Sequence, residues 1–224
     1  METKNRRTHC IRCGECCIES SPTLQMEDIS LVKDGHIEKT NLYTIRVGEI
    51  VWDPMNSKIK INDIELIKIK EKKESRGCIY YDEKAKACRI YDHRPLQCAA
   101  LACWDTDKIM KVYDGAKAAR KELINDSVLR GILEEHEKRC SYKKLDGYVK
   151  RIEPDGEKAI NSIIELLKFD YHLRPFISKK RGIDPLEMDF LFGRPLIDTI
   201  TMFGLKVVRE ENGSFFLTLL SPDK

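Results

Sequence analysis

No apolar run in this 224-residue chain approaches the roughly 18 residues that a membrane span requires. The opening stretch, Met1 to His9, is polar and basic with no apolar segment behind it, so no secretory signal is expected. Charge of one sign is lacking too. The 40 Lys and Arg nearly balance 37 Asp and Glu, for a net charge of +3. That balance excludes a strongly basic nucleic-acid footprint and predicts no particular acidic partner. Standard catalytic motifs are missing: there is no Gly-rich phosphate loop, no G-x-S-x-G elbow and no H-E-x-x-H. The C-x3-C-x2-C loop of radical S-adenosylmethionine enzymes is absent as well. Internal repeats and low-complexity tracts are not found. A cytoplasmic location with no membrane association follows by default, and in a reducing compartment disulfides are not expected.

Cysteine, by contrast, is abundant. There are nine, an odd number that full pairing would not use up. Cys10, Cys13, Cys16 and Cys17 fall within eight positions; Cys78, Cys88, Cys98 and Cys103 form a second group; Cys140 stands alone. Thiolate sulfur is the soft ligand for zinc, copper(I) and iron–sulfur clusters. Cys10-x-x-Cys13-x-x-Cys16 has the spacing of a ferredoxin-type cluster loop, in which the backbone curls so that successive sulfurs face one cavity. Gly14 suits a close backbone approach to metal or sulfide. In extended geometry Cys16 and Cys17 would point to opposite sides and serve two sites, or one would be a supporting group. Eight clustered cysteines match two four-thiolate sites. A zinc ribbon would show two Cys-x-x-Cys knuckles, and the second group has none. Iron–sulfur, as four-iron cubane clusters, is therefore favoured over zinc, which remains the alternative.

The segments Cys10-Ile-Arg-Cys-Gly-Glu-Cys-Cys17, Gly77-Cys78-Ile-Tyr-Tyr-Asp82 and Cys88-Arg-Ile-Tyr-Asp-His-Arg-Pro-Leu-Gln-Cys98 resemble the YkgJ-type cysteine-cluster family, whose domain is labelled zinc- or iron-chelating. The resemblance spans roughly residues 8 to 104 and leaves the back half uncovered. Ala99 stands where that family commonly carries Arg, and the insertion between Cys17 and Cys78 is longer than usual. The family includes the cysteine domain of flagellin lysine methylases. The resemblance thus implies a metal-binding role, with a methylation-related iron–sulfur enzyme as one alternative and a zinc-stabilised binding module without redox function as another. An unidentified protein partner is compatible with each.

Supporting residues follow from the same segments. Arg94 is placed to offset the negative charge of a thiolate-ligated centre through N–H to sulfur bonds, or else to make an ordinary salt bridge. Tyr91 is placed to shield the centre from water, or else to pack as a plain core aromatic. His9 and His93 are candidate nitrogen ligands, more simply read as surface or supporting histidines. Cys140 reads as a free thiol at a polar helix end, and Trp104 as a core or rim aromatic rather than a substrate platform. Glu134 and Glu135 read as solvated helix surface.

The fold expected is α+β: an irregular, cysteine-rich, metal-binding front domain with short strands over residues 1–140, and a mainly helical region ending in a β-hairpin over 141–224. The boundary is placed in the polar stretch from Ser141 to Gly156. Thr23 is expected to cap a short helix running to Val32, and Leu42 to Val51, Lys58 to Ile61 and Glu65 to Lys70 read as extended. Cys78 to Tyr81 and Cys88 to Tyr91 read as a short hairpin, followed by a helix from Pro95 to Cys103. Helical periodicity covers Lys108 to Lys138, with Ser127 as N-cap, and resumes behind Pro154 at Ala159, Ile163 and Leu167. Asn212-Gly213 marks a terminal hairpin between Leu205–Val208 and Phe215–Leu220. The order helix, helix, hairpin over Asp184 to Leu220 is that of a winged helix. The second of these helices has no Lys or Arg beyond Arg194, so DNA reading is not expected.

Overall fold

Short elements dominate the first half of the chain because its apolar residues come in twos and threes between ligand-like and charged ones. The computed structural model describes residues 10–53, 57–210 and 213–220. In chain order it shows helices α1 (Glu15–Glu19) and α2 (Ile29–Lys33) and strands β1 (Leu42–Ile45), β2 (Ile50–Asp53), β3 (Lys58–Ile61), β4 (Leu66–Ile69), β5 (Tyr81–Asp82) and β6 (Ala87–Cys88). Then come α3 (Leu96–Ala100), α4 (Asp107–Tyr113), α5 (Arg120–Leu123), α6 (Ser127–Arg139), α7 (Tyr142–Val149), α8 (Ile152–Asp155) and α9 (Glu157–Arg181). The chain closes with α10 (Met188–Phe192), α11 (Leu196–Thr199), β7 (Leu205–Arg209) and β8 (Phe215–Leu219). The mixed α+β class with a terminal hairpin holds.

The chain divides into two units, each discontinuous. The first comprises Met1–Tyr43 and Leu66–Leu123; the second comprises Thr44–Glu65 and Ile124–Lys224. The expected boundary at residue 141 falls inside the second unit, between α6 and α7. The polar stretch that suggested it, Ser141 to Gly156, is helical, with the Ser141 side chain capping α7.

In the first unit, the backbone of residues 22–26 lies between β4 and the segment around Ala118. Leu24 N–H donates to Ile67 O at 2.8 Å, and Ala118 N–H to Leu24 O at 3.1 Å. Leu24, Ile37, Ile67, Ile69 and Ala118 are fully buried there. Gln25, rather than Thr23, caps the first turn, in a reciprocal capping box with Asp28.

In the second unit, α7, α9, α11 and β7 enclose Cys140, Tyr142, Leu145, Ile163, Leu167, Leu196, Ile200 and Leu205. Fully burying an aliphatic side chain of this size contributes about 1.5–3 kcal/mol, so these residues anchor the unit. Asp126, one residue before the expected Ser127, caps α6 by accepting from Leu129 N–H at 3.0 Å. The helical stretch before it is broken into α4, α5 and α6. The β7–β8 hairpin pairs Leu205 with Leu219 through Arg209 with Phe215. Asn212 of its expected turn lies outside the described residues; Gly213 has φ +84°, which glycine tolerates.

Candidate metal centre

The Cys10–Cys17 segment is more regular than its ligand density suggests. Arg12 (φ 57°) and Gly14 (φ 83°) turn the backbone left-handed, and α1 begins directly behind them. Cys17 and Ile18 N–H both donate to Gly14 O, at 2.8 and 3.0 Å. Helical backbone replaces the extended geometry expected at Cys16-Cys17. The two sulfurs consequently lie 3.9 Å apart on one side rather than on opposite sides.

Four chain segments bring sulfur to the same place. Cys78 N–H donates to Cys17 O at 2.7 Å, fixing α1 against the Gly77-Cys78 turn. The hairpin is shorter than expected, two residues per strand, yet its register places Cys88 opposite Tyr81. Cys98 sits in α3, which ends at Ala100 rather than Cys103. One remote side chain and one remote backbone amide pin that helix: Leu96 N–H donates to Asp28 Oδ1, and the helix's own Gln97 Oε1 accepts from Thr23 N–H, both at 2.8 Å. Burial pushes the Asp28 carboxyl above its ordinary pKa, against the pull of the Gln25 and Leu96 backbone N–H donors.

The thiols report one another electrostatically. The hydrogen bond from Cys16 holds the Cys17 thiol below its ordinary value, against burial and the negative potential of Cys98, Cys88 and Cys78. Donating that bond, and burial, push Cys16 up. Burial raises Cys98 most, followed by Cys78, Cys16 and Cys88, while Arg94 draws it down. Burial and then Cys88 raise Cys78. Tyr81 is raised by burial, then by Cys17 and Cys13, which places Cys13 on the same side. Six sulfurs, those of Cys13, Cys16, Cys17, Cys78, Cys88 and Cys98, therefore share one environment. Cys10 and Cys103 are exposed, as are Cys13 and Cys16 of the six. Arg12 N–H lies 3.4 Å from Cys10 Sγ.

Arg94 and Tyr91 are neighbours of this group. The Arg94 guanidinium lies 3.7 Å from the centre of the Tyr91 ring, and that of Arg12 lies 4.1 Å from it. Tyr91 thus acts as a platform for two cations. Arg94 Nε is buried without a hydrogen-bond partner. A buried N–H donor costs free energy unless an acceptor meets it, and the Cys98 sulfur is the group that this cation draws toward its thiolate form. A thiolate-bound metal centre supplies such acceptors, so the donor set and the orphaned donor both fit one. Among the described residues, no three His, Cys, Asp or Glu side chains are already gathered at the spacing of a single ion.

His93 stacks on His36, ring centres 3.5 Å apart. Trp104 is at the margin of exposure, and His9 lies outside the described residues. Cys140 belongs to the second unit, where it is the free C-cap residue behind the basic last turn of α6, as expected; it is also fully buried, and burial pushes its thiol up to about 12. Sequence reasoning missed Tyr81, whose side chain fills the space beside Gly14. A Cβ on Gly14 would come within 1.9 Å of Tyr81 Oη. The glycine signal was visible; the ring that requires it was not. It also missed Asp28 and Gln97, which carry no motif.

Residues 9–117 match the family model CxxCxxCC, described as "Putative zinc- or iron-chelating domain". This stretch is a CxxCxxCC domain. No curated protein and no solved structure matches the chain. The CxxCxxCC domain is a metal-binding cysteine-cluster domain, and its span covers every cysteine except Cys140. No helix among the described residues is long and apolar enough to cross a membrane.

Proposed function

We propose that the CxxCxxCC domain holds an iron–sulfur centre used for electron transfer or as accessory chemistry to a modification enzyme. The observation that supports this most is the mutual electrostatic influence of thiols from four chain segments, one of which, Cys98, also feels Arg94, whose Nε is buried without a partner. A mononuclear zinc site takes four protein ligands, sulfur or nitrogen; six thiols in one environment suit a larger inorganic centre, or two neighbouring ones. Cys17, Cys78, Cys88 and Cys98 are the inner candidates. Cys13 and Cys16 lie at the surface, and the exposed Cys10 and Cys103 complete the eight-thiolate, two-site reading. When bound, such a centre supplies one-electron chemistry. The chain's part is to hold the thiolates, to balance their charge with Arg94, and to limit water through Tyr81 and Tyr91.

Purification without oxygen, followed by iron, acid-labile sulfide and zinc analysis and a visible spectrum, tests this. Iron and sulfide in near-equal amounts with broad visible absorption are expected. A colourless protein with stoichiometric zinc and no sulfide would replace the redox role with a zinc-stabilised binding module.

A further inference from the structure

The long helix α9 buries one apolar face and carries a second, half-exposed apolar row that starts at Phe169, itself packed against the core, and runs out to exposed Phe176. Its buried face presents Ala159, Ile163, Leu166, Leu167 and Ile177 to the core of the second unit. A second row lies along an open groove of about 620 Å³, formed by Lys168, Phe169, His172, Leu173 and Phe176, with Arg139 from the end of α6. Their spacing repeats each helical turn. From Lys168 to Phe176 the row is about 12 Å long at 1.5 Å per residue. An ordinary surface helix shows polar residues on the face away from its core. Here Phe176 is instead 56% exposed.

Cations rim this apolar row. The Arg139 guanidinium lies 3.8 Å from the centre of the Phe169 ring, and Lys168 Nζ lies 5.7 Å from that of Phe215. Glu165, at one end, is the single carboxylate in the lining. Next to the row, Pro175 lacks an N–H, so the Tyr171 carbonyl four residues earlier loses its helical donor.

We propose that this groove is a docking site for an acidic, amphipathic helical segment of a partner protein. The argument is complementarity. The positive rim selects Glu or Asp on the partner, and the one-turn repeat of Phe169, Leu173 and Phe176 matches apolar residues at i, i+3/i+4 and i+7. Single-stranded nucleic acid would also meet aromatics and cations, but two fixed cations give little to track a phosphate backbone. The site is independent of the metal centre.

Fluorescence anisotropy on the full chain tests the proposal with a labelled peptide of helix-forming sequence, carrying Leu and Phe at i, i+4 and i+7 and Glu elsewhere. A scrambled peptide, a Lys-for-Glu counterpart and a labelled oligouridine serve as comparisons. The acidic peptide is expected to bind at least about tenfold more tightly than each comparison. Phe176→Ser and Arg139→Glu should each weaken it by about tenfold or more, with the thermal unfolding midpoint unchanged; both side chains are solvent-facing, so two variants guard against a folding artefact. Absence of acidic-peptide binding, equal binding of the scrambled peptide, or indifference to both substitutions overturns the proposal. Preferential binding of the oligouridine, lost in the same variants, overturns it in favour of nucleic acid.

Discussion

Asp170 is where the second unit concentrates its polar risk, and replacing it with asparagine is a direct test. Its side chain has no solvent exposure. Oδ1 accepts from His136 Nε2 at 2.8 Å and Arg174 Nη2 at 3.0 Å. Oδ2 accepts from Leu196 N–H at 2.9 Å and Arg174 Nε at 3.3 Å. Asp170→Asn keeps the volume and one acceptor oxygen, but turns an NH2 group toward two of the four donors. Each buried donor left unmet costs about 1–3 kcal/mol, which gives about 2–6 kcal/mol. Breaking a buried ion pair by removing one partner costs about 3–5 kcal/mol by independent measure. The two estimates overlap, so a loss of about 3–5 kcal/mol is expected. That is between about two and four powers of ten in the unfolding equilibrium, and a large part of a typical domain's stability. Urea unfolding followed by far-UV circular dichroism reads it, because α9 and its neighbours carry much of the helix signal. A loss under about 1 kcal/mol would refute the assignment of Asp170 as the obligatory counter-charge.

The same network sets a pH dependence. Arg46 can only donate, and its Nη1 lies 3.3 Å from His136 Nδ1, so that nitrogen accepts and Nε2 carries the proton given to Asp170. Burial holds His136 below its ordinary value, and the Arg46 cation adds to this. The unfolded chain therefore binds more protons than the folded one below about pH 6.5, and stability should fall as pH drops from there. Asp170 is also depressed, through the His136 hydrogen bond and Arg174 overcoming burial, so its contribution is present above about pH 3.9 and lost as pH falls further. Ring nitrogen shifts in nuclear magnetic resonance check this: an imidazolium at His136 above about pH 6.5 would contradict it.

Other substitutions separate the two units. Gly14→Ala must accept a left-handed backbone, about 1–2 kcal/mol, and displace the Tyr81 ring; metal content should fall, and full retention by mass spectrometry of the native protein would show the contact to be soft. Arg94→Met removes the orphaned donor while keeping length, so bound iron or zinc should become easier to strip with a chelator, and an unchanged stripping rate would detach Arg94 from the centre. Gly193→Ala would place a Cβ 2.8 Å from Arg46 Cγ and Cδ and 3.0 Å from Thr44 O; overpacking of this kind costs about 1–3 kcal/mol, visible as a lowered urea midpoint with metal content intact.

Much of the first unit's chemistry was legible because metal ligands are short-range signals. Cys-x-x-Cys-x-x-Cys-Cys declares itself by spacing, and Pro95 correctly starts a helix. The Cys16-Cys17 geometry was not legible, because extended and helical backbone differ only in the left-handed turns at Arg12 and Gly14, and one of those falls on a non-glycine residue. The strands β3 and β4 could be read from alternation, and β1 and the start of β2 from the extended apolar stretch Leu42 to Val51. Their partners could not: β2 pairs with β3, while β4 pairs with β1, which leaves and rejoins the first unit around the inserted hairpin. Nor did any local pattern mark Asp170 and Arg174. They sit within an apolar-rich helix at i, i+4, a spacing that commonly signals a solvated pair, and only tertiary packing buries them.

That insertion explains why cysteine distribution was a poor guide to organisation. Counting cysteines put everything before residue 141 in one domain, because no cysteine lies between Cys17 and Cys78 to object. Yet Thr44–Glu65 supplies the second unit with groups that its helices cannot replace. Arg46, 1% exposed, gives its Nη2 to Cys140 O at 3.0 Å and its Nη1 to His136. Thr44 Oγ1 donates to Phe190 O at 2.6 Å, and fully buried Glu49 accepts from Arg194 Nε at 2.7 Å. Without this segment, His136 Nδ1 and the Cys140 carbonyl would lose the buried donors that Arg46 supplies. At about 1–3 kcal/mol for each unmet buried group, that is about 2–6 kcal/mol, a large part of the stability of a small domain. The helical back half is therefore a poor candidate for independent folding, even though it contains the long helix and most of the core. The insertion in the cysteine domain is better understood as the first part of the second unit than as a decoration on the first.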